Sequence, residues 1–167
     1  GHGRCLYQQE LHVPLLFKYP GTEMRARRTN VAVQLPDMFV MVLESLGIPA
    51  PEGIQGGLPP RIGHPIVAEV YPSSNPTPTA QDGDWQAIFD EDFKFLWNSK
   101  GNHMLFHLGD DPGENVNLVS QYPDQARQMS FKLKEYLAKL PPPGPPAPAR
   151  ELDRSTKDAL RSLGYVE

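Results

Sequence analysis

Residues 85–108 constrain the fold of this chain more than any other stretch. Apolar and polar residues alternate there in three short runs, and turn residues separate the runs at 90–92 and 99–102. A period of two is typical of half-buried strands, and short polar connections favour antiparallel neighbours. The stretch therefore predicts an antiparallel meander of three strands, with Lys94 on one face. The large aromatic side chains fall on the other face, which needs a cover: Phe93, Phe95 and Trp97.

A predicted helix over 123–140 can supply that cover. Proline and aspartate at its beginning are start signals for a helix. Its apolar residues recur at three- and four-residue spacing and form one stripe: Ala126, Met129, Leu133, Tyr136, Leu137 and Leu140. Three strands and one helix predict a small α+β layer, and residues 66–71 are interpreted as a further strand.

His2 lies between two glycines at the start of the sequence. Glycine lets the backbone bend sharply and approach a ligand closely, while the imidazole stays free for chemistry. A plain turn explains the same residues, so the motif alone leaves both interpretations open. The apolar run 13–17 follows and is bounded by Pro20-Gly21, which predicts a buried strand.

Residues 36–47 predict a second helix, which proline and aspartate open and Gly47 closes with a left-handed cap. Because nearly every side of this helix is apolar, we expect it to be buried. The passage 51–64 is rich in proline and glycine and predicts a linker. His64, at its end, is expected to cap a backbone group or to face solvent.

Two further segments carry polar or proline-rich patterns. Residues 109–118 contain three acids and two asparagines, but their spacing is not that of an EF-hand, so we interpret them as a structural turn. The proline-rich run 141–149 predicts a polyproline II spacer, with docking to an SH3-like partner as the alternative. Ser155 and Asp158 are placed to cap a last short helix.

The bulk composition excludes several classes of function. Lys plus Arg number 16 against 20 Asp plus Glu, for a net charge of -4, which argues against nucleic acid because phosphate neutralisation needs a basic face. No apolar run approaches the roughly 18 residues that span a bilayer. A lone cysteine, Cys5, excludes an internal disulfide and a cysteine-rich zinc cluster. No signal peptide is visible, so an exported, periplasmic or lysosomal-type compartment stays open if the chain continues upstream.

Several segments resemble the sulfatase family of the alkaline-phosphatase superfamily. The opening segment is similar to a Gly-His-Gly-x-x-Leu-Tyr segment that leads out of the family's active site into a core strand. The matching residues are Gly1, His2, Gly3, Leu6, Tyr7, Leu11, Val13, Pro14 and Leu15. Gln8 and Gln9 stand where the family has acids, and His12 stands where it has arginine.

The resemblance continues to the end of the chain. The second helix matches a family segment at Asp37, Leu43, Leu46, Gly47, Ile48 and Pro49. The most specific match is a signature of the family's C-terminal subdomain: Leu105, Phe106, Leu108, Asp111, Pro112, Glu114, Asn117 and Leu118. In the family this signature is a folding landmark. The ending, residues 160–166, resembles the Leu-(Lys/Arg)-x-Leu-Gly-Tyr close of many bacterial-type sulfatases.

The resemblance implies hydrolysis of a sulfate ester. In the family a formylglycine, made from Cys or Ser in Cys/Ser-x-Pro-x-Arg, attacks sulfur, and a divalent cation, usually Ca²⁺, neutralises the sulfate oxygens. Cys5 lacks the Pro and Arg of that motif, and the family's Asp-His/Asn-Gly ligand pair is absent from this sequence. Neither formylglycine nor a metal is therefore sited in this chain. Of the family's site residues only His2 maps onto it, as a sulfate contact and proton donor.

We interpret the sequence as the C-terminal part of a sulfatase with an α/β, alkaline-phosphatase-like fold. Residues 1–50 would close the catalytic α/β domain with a strand and a helix, and residues 51–64 would form a linker. Residues 65–140 would form an α+β subdomain with an antiparallel sheet packed on a helix. Residues 141–149 would form a spacer, and residues 150–167 would form a short helix. Its expected partners are the missing N-terminal catalytic portion and a sulfate-ester substrate. Alone it should be inactive. A phosphodiesterase or phosphonate hydrolase of the same superfamily, or a non-catalytic binding module, are the alternatives.

Overall fold

The computed structural model describes residues 5–18, 28–59, 63–70, 82–141 and 153–162. The helices are α1 (Gln8–Leu11), α2 (Leu35–Ser45), α3 (Pro123–Lys139) and α4 (Arg154–Ser162). The strands are β1 (Ile66–Val70), β2 (Trp85–Asp90), β3 (Phe93–Asn98) and β4 (Met104–His107). In the described part of the chain, no helix is long and apolar enough to cross a membrane.

The predicted meander is confirmed as the centre of a four-stranded antiparallel sheet with the order β1-β2-β3-β4. Glu91 and Asp92 connect β2 to β3, and Glu91 adopts a φ of 53°, as tight turns of this kind require. The strand predicted at 66–71 pairs with β2, with Ala68 opposite Ala87. The sheet therefore has one strand more than the meander.

The predicted stripe of α3 covers one face of this sheet. Phe93 and Trp97 flank the contact, as the alternation of β3 indicated. The residues buried between the two layers come from three strands and the helix: Ile88, Phe95, Leu105, Ala126, Met129 and Leu133. This is the α+β layer that the sequence predicts, and it leaves the opposite face of the sheet to be covered by another segment.

His103, just before β4, lies at the edge of this layer. Its ring stacks on Trp97 with 6.2 Å between centroids, and its Nδ1 accepts a hydrogen bond of 3.1 Å from the Asn98 amide. Burial lowers the pKa of His103 below its ordinary value of 6.5, and the charge of Lys134 lowers it further. The neutral ring is therefore the form that the fold favours.

Stability should consequently depend on pH through His103. Because its folded-state pKa is lowered, the unfolded chain binds the proton more readily. The contribution of the neutral ring to folding stability is complete above pH 6.5. It is lost as the pH falls through 6.5 towards the folded-state pKa of His103. We expect His103→Gln to flatten this part of the pH dependence in urea unfolding between about pH 5 and pH 7. An unchanged pH dependence in the variant would contradict the assignment.

The buried strand predicted at 13–17 is wrong for this structure. Residues 12–18 form no strand, and the side chain of Leu16 is 94% exposed. A strand is stable only when its backbone groups pair with a neighbour. None of the described strands runs beside this segment, and Val13, Leu15 and Leu16 are exposed.

The second helix agrees with its predicted limits but not with its predicted burial. It begins at Leu35, one residue early, and Gly47 follows it with a φ of 68°, the predicted left-handed cap. Asp37, Val40 and Met41 are buried, whereas Leu35 is 80% exposed. Within the described residues, this helix is covered on one face only.

The passage 51–59 supplies that cover. It packs along α2 so closely that a Cβ on Gly56 would lie 2.2 Å from the carbonyl oxygen of Pro36. A side chain cannot fit there, so glycine is required. This segment is therefore packed against the helix rather than a free tether, although the predicted domain boundaries themselves stay a prediction.

The last helix is capped differently from the prediction. Asp153, rather than Ser155, precedes α4 and accepts hydrogen bonds from the Ser155 hydroxyl and from the amide and hydroxyl of Thr156. These bonds, led by that of Ser155, lower the pKa of Asp153 to about 2. Residues 142–152, which include nearly all of the proline-rich spacer, and the ending 163–167 lie outside the described residues.

Candidate functional site

The segment Cys5–Leu11 covers the face of the sheet opposite α3. It contains three of the residues that resemble the exit from a sulfatase active site, Leu6, Tyr7 and Leu11. Leu6 is buried there, and the Tyr7 ring lies 6.1 Å from that of Phe106, with its hydroxyl 3.5 Å from the Met104 sulfur. The buried residues of this second core are Leu6, Trp85, Ala87, Leu96 and Phe106. Residues 5–11, called the opening segment from here on, are thus part of the sheet's packing.

A buried ion pair lies beneath this segment. Lys94 Nζ contacts Glu114 Oε1, and the two side chains are 0% and 2% exposed. The ammonium also lies 5.4 Å from the centroid of the Phe89 ring and 6.0 Å from that of Tyr7. Burial lowers the pKa of Lys94, and the hydrogen bond and charge of Glu114 oppose that change. The Lys94 charge is therefore compensated inside the protein by a single carboxylate.

Glu114 also binds the opening segment directly. Its Oε2 accepts a hydrogen bond of 2.5 Å from the backbone amide of Gln8, at the first residue of α1. The two oxygens of one carboxylate thus join the sheet to a segment that is 106 residues away in the sequence. Gln8 replaces an acid of the family pattern, but this bond uses only its main chain.

The loop 109–118 that carries Glu114 holds its shape with its own polar side chains. Asp111 accepts hydrogen bonds from the amides of Asn115 and Val116, at 2.7 and 2.9 Å. Asn117 accepts one of 3.0 Å from the Leu105 amide. These side chains bind backbone groups, in agreement with the interpretation of the loop as a structural turn.

Cys5 lies at the edge of the same cluster. Burial and the nearby Glu10 raise the pKa of the thiol, against the opposing effects of the Tyr7 backbone and Lys94. A thiol with a raised pKa stays protonated near neutral pH and is a poor nucleophile. Cys5 is therefore not an activated nucleophile in this environment.

The candidate catalytic residue, His2, lies outside the described residues, and its role stays a prediction. It precedes Cys5 by three positions in the sequence. No group of three or more His, Cys, Asp or Glu side chains in the described ranges could hold a metal ion. No chemical step is assigned to a metal here.

A second polar cluster lies at the start of α2. Asp37 is fully buried, and its carboxylate accepts hydrogen bonds from the Gln34 amide at 2.7 Å, the Gly57 amide at 2.8 Å and His64 Nε2 at 2.7 Å. The expectation that His64 faces solvent is wrong, since its ring is held against this buried carboxylate; its Nδ1 also lies 3.0 Å from the backbone carbonyl oxygen of Pro65. Gln34 continues the cluster to β1 through the Val67 amide at 2.9 Å.

Removing this carboxylate should loosen the passage that packs on α2. We expect Asp37→Ala to speed hydrogen exchange at the Gly57 and Gln34 amides, with a loss of about 2–4 kcal/mol in the free energy of protection. The reason is that these partly buried amides lose a charged acceptor. The exposed Glu52, changed to alanine in the same passage, is the control and should leave both rates unchanged. Equal protection in Asp37→Ala and the native chain would contradict the role of Asp37.

Comparison with known proteins finds similarity to sulfatases. No protein-family model matches the chain. Arylsulfatase K of Xenopus laevis is 25% identical over 142 residues, which cover 77% of this chain and 26% of that protein. An ulvan-active sulfatase of Formosa agariphila is 26% identical over 146 residues, which cover 80% and 28%. Arylsulfatase K of Bos taurus is 25% identical over 150 residues, which cover 79% and 26%.

Among solved structures, BT4656 in complex with its substrate D-glucosamine-2-N,6-O-disulfate superimposes with a TM-score of 0.49 and 19% identity. The match covers 62% of this chain and 24% of that chain. The present chain spans about a quarter of the length of the curated relatives that it matches.

The structure defines an antiparallel sheet with helices, in which one helix covers one face and the opening segment covers the other. The named relatives are all sulfatases, so the resemblance carried by the motifs is confirmed: this chain is similar to sulfatases.

Proposed function

We propose that this chain is the C-terminal part of a sulfatase that hydrolyses sulfate esters, and that it has no activity by itself. The observation that carries the proposal is the match of about four fifths of the chain to curated sulfatases. In the whole enzyme a formylglycine and a divalent cation would supply the nucleophile and the charge neutralisation. The formylglycine and the residues that hold the cation would lie in the N-terminal portion.

The apolar surfaces of residues 13–17 and α2 support the proposal. Leu16 and Leu35 are almost fully exposed in this chain, and Phe39 and Leu46 are more than half exposed. Apolar surface of this extent commonly marks an interface. We propose that it packs against the rest of an alkaline-phosphatase-like α/β domain, which residues 1–50 would complete.

This chain would contribute His2 to the reaction. Its imidazole would contact the substrate sulfate and give a proton to the bridging oxygen as the sulfur–oxygen bond breaks. The names of the relatives refer to different substrates, so no single sulfate ester is proposed.

The test compares the full-length parent with the 167-residue chain. Both would be assayed for sulfate release from an aryl sulfate and from sulfated polysaccharides, and for hydrolysis of a phosphodiester and a phosphonate ester. We expect the parent to release sulfate and the chain alone to release none. Hydrolysis of the phosphorus esters alone would establish the superfamily alternative, and a parent without hydrolase activity would favour a binding module.

A further inference from the structure

We propose that Lys94 and Glu114 are positioning residues, which hold the segment that follows the Gly-His-Gly motif in one place on the sheet. The catalytic part of this inference rests on the proposed function. The structural part, that the ion pair fixes the segment, does not. Glu114, the glutamate of the family signature in residues 105–118, would thereby have a specific task.

The geometry supports a fixed connection. Lys94 lies in the middle of the sheet, paired with Phe89 on one side and Phe106 on the other, so its backbone cannot shift independently. Its ammonium orients one oxygen of Glu114, and the other oxygen accepts the Gln8 amide. The connection from sheet to segment therefore consists of two charge-assisted hydrogen bonds, which are stronger and more directional than neutral ones.

The surroundings keep this connection dry. The two charged side chains are almost completely buried, and Leu6 and Tyr7 belong to the core that covers them. In such an environment the pair cannot exchange its partners for water, so breaking one bond leaves a buried group unsatisfied. The segment is thereby held by its main chain only a few residues after His2. A misplacement of a catalytic group by about 1 Å can cost on the order of 100-fold in rate.

The first test uses the native 167-residue chain and amide hydrogen exchange. The Gln8 amide should be protected to the same degree as the amides of β3. The Val31 amide, which is bonded to the exposed Thr29 hydroxyl, is the reference for weak protection. If Gln8 exchanges as fast as Val31, Glu114 does not hold the segment and the proposal is overturned. This measurement needs no variant that could fail to fold.

The second test is a pair of matched double variants. Lys94→Met with Glu114→Met removes both charges and the acceptor of the Gln8 amide. Lys94→Met with Glu114→Gln also removes both charges, but it keeps an oxygen that can accept that amide. We expect Gln8 exchange to rise at least tenfold in the first variant relative to the second, with β3 protected in both. Equal exchange at Gln8 in the two variants would overturn the proposal, and if either fails to fold the native measurement decides.

The third test is kinetic and uses the full-length parent. Lys94→Met with Glu114→Met should lower kcat about 10- to 100-fold relative to Lys94→Met with Glu114→Gln, while KM changes little. The reason is that a displaced catalytic group affects the transition state. The control Lys132→Met breaks an exposed ion pair with Asp90 and should leave both constants unchanged. Equal kcat values in the two double variants would refute the catalytic part. If the native parent releases no sulfate, the proposed function fails, whereas the exchange at Gln8 still decides whether the pair fixes the segment.

Discussion

Glu114→Ala should lower the free energy of unfolding by about 3–5 kcal/mol, the largest loss that we expect from one substitution in the described residues. The change leaves the ammonium of Lys94 inside the protein without its carboxylate. It also removes the acceptor of the Gln8 amide. A buried charge without a partner is far more costly than a missing apolar contact, because water cannot reach it. Part of the loss would be relieved if Lys94 gave up its proton, since burial already lowers its pKa.

Urea unfolding followed by circular dichroism would measure this loss. The control is Asp90→Ala, which removes the partner of Lys132 at the surface and should cost less than about 1 kcal/mol because solvent screens exposed pairs. A double variant, Lys94→Met with Glu114→Met, should recover much of the stability, since apolar residues of similar size can replace a buried pair. A loss in Glu114→Ala no larger than that of the surface control would show that the pair is not desolvated as the structure has it.

His2→Ala in the full-length parent should lower kcat by about 100- to 10,000-fold, the range typical of a general acid. The physical reason is that the leaving oxygen gains negative charge as its bond to sulfur breaks, and a positioned imidazole can supply the proton. The pH–rate profile should lose the limb that reports the protonated acid. Sulfate release under saturating and limiting substrate would separate the effect on kcat from that on KM.

The matched control for this experiment is His12→Ala. His12 is exposed and directly follows the opening segment, at the end of α1. Its loss removes a histidine without touching the proposed proton donor, so kcat should change less than about twofold. Native kinetics in His2→Ala would refute the proposed role and leave the Gly-His-Gly motif as a plain turn.

The sheet and its helix could be predicted because their signals are local. The alternation in β3 identifies which residues share a face, and the three- and four-residue spacing in α3 identifies the stripe that covers it. Both periods follow from backbone geometry, so they are present in the sequence whatever lies nearby. A different local signal located the end of α2, since Gly47 readily adopts the left-handed conformation of a helix cap.

The two polar clusters could not be found in that way. Lys94 alternates with aromatic residues, and a lysine at such a position is normally expected to face solvent. Only the cover provided by the opening segment, far away in the chain, buries it. His64 likewise gained its role from Asp37, which is 27 residues earlier. A signal for Glu114 did exist, since it belongs to the most specific family match, but no pattern identified its partners.

By itself, the sequence determined the antiparallel meander, the stripe of α3 and the resemblance to sulfatases, because periodicity and motif spacing depend on neighbouring residues. Only the tertiary structure decided that the opening segment covers the second face of the sheet and that Lys94, Glu114 and the Gln8 amide meet there. It also decided that residues 13–16 lie exposed and that 13–17 form no strand. Burial and pairing are properties of surfaces brought together from distant parts of the chain, so no local pattern contains them.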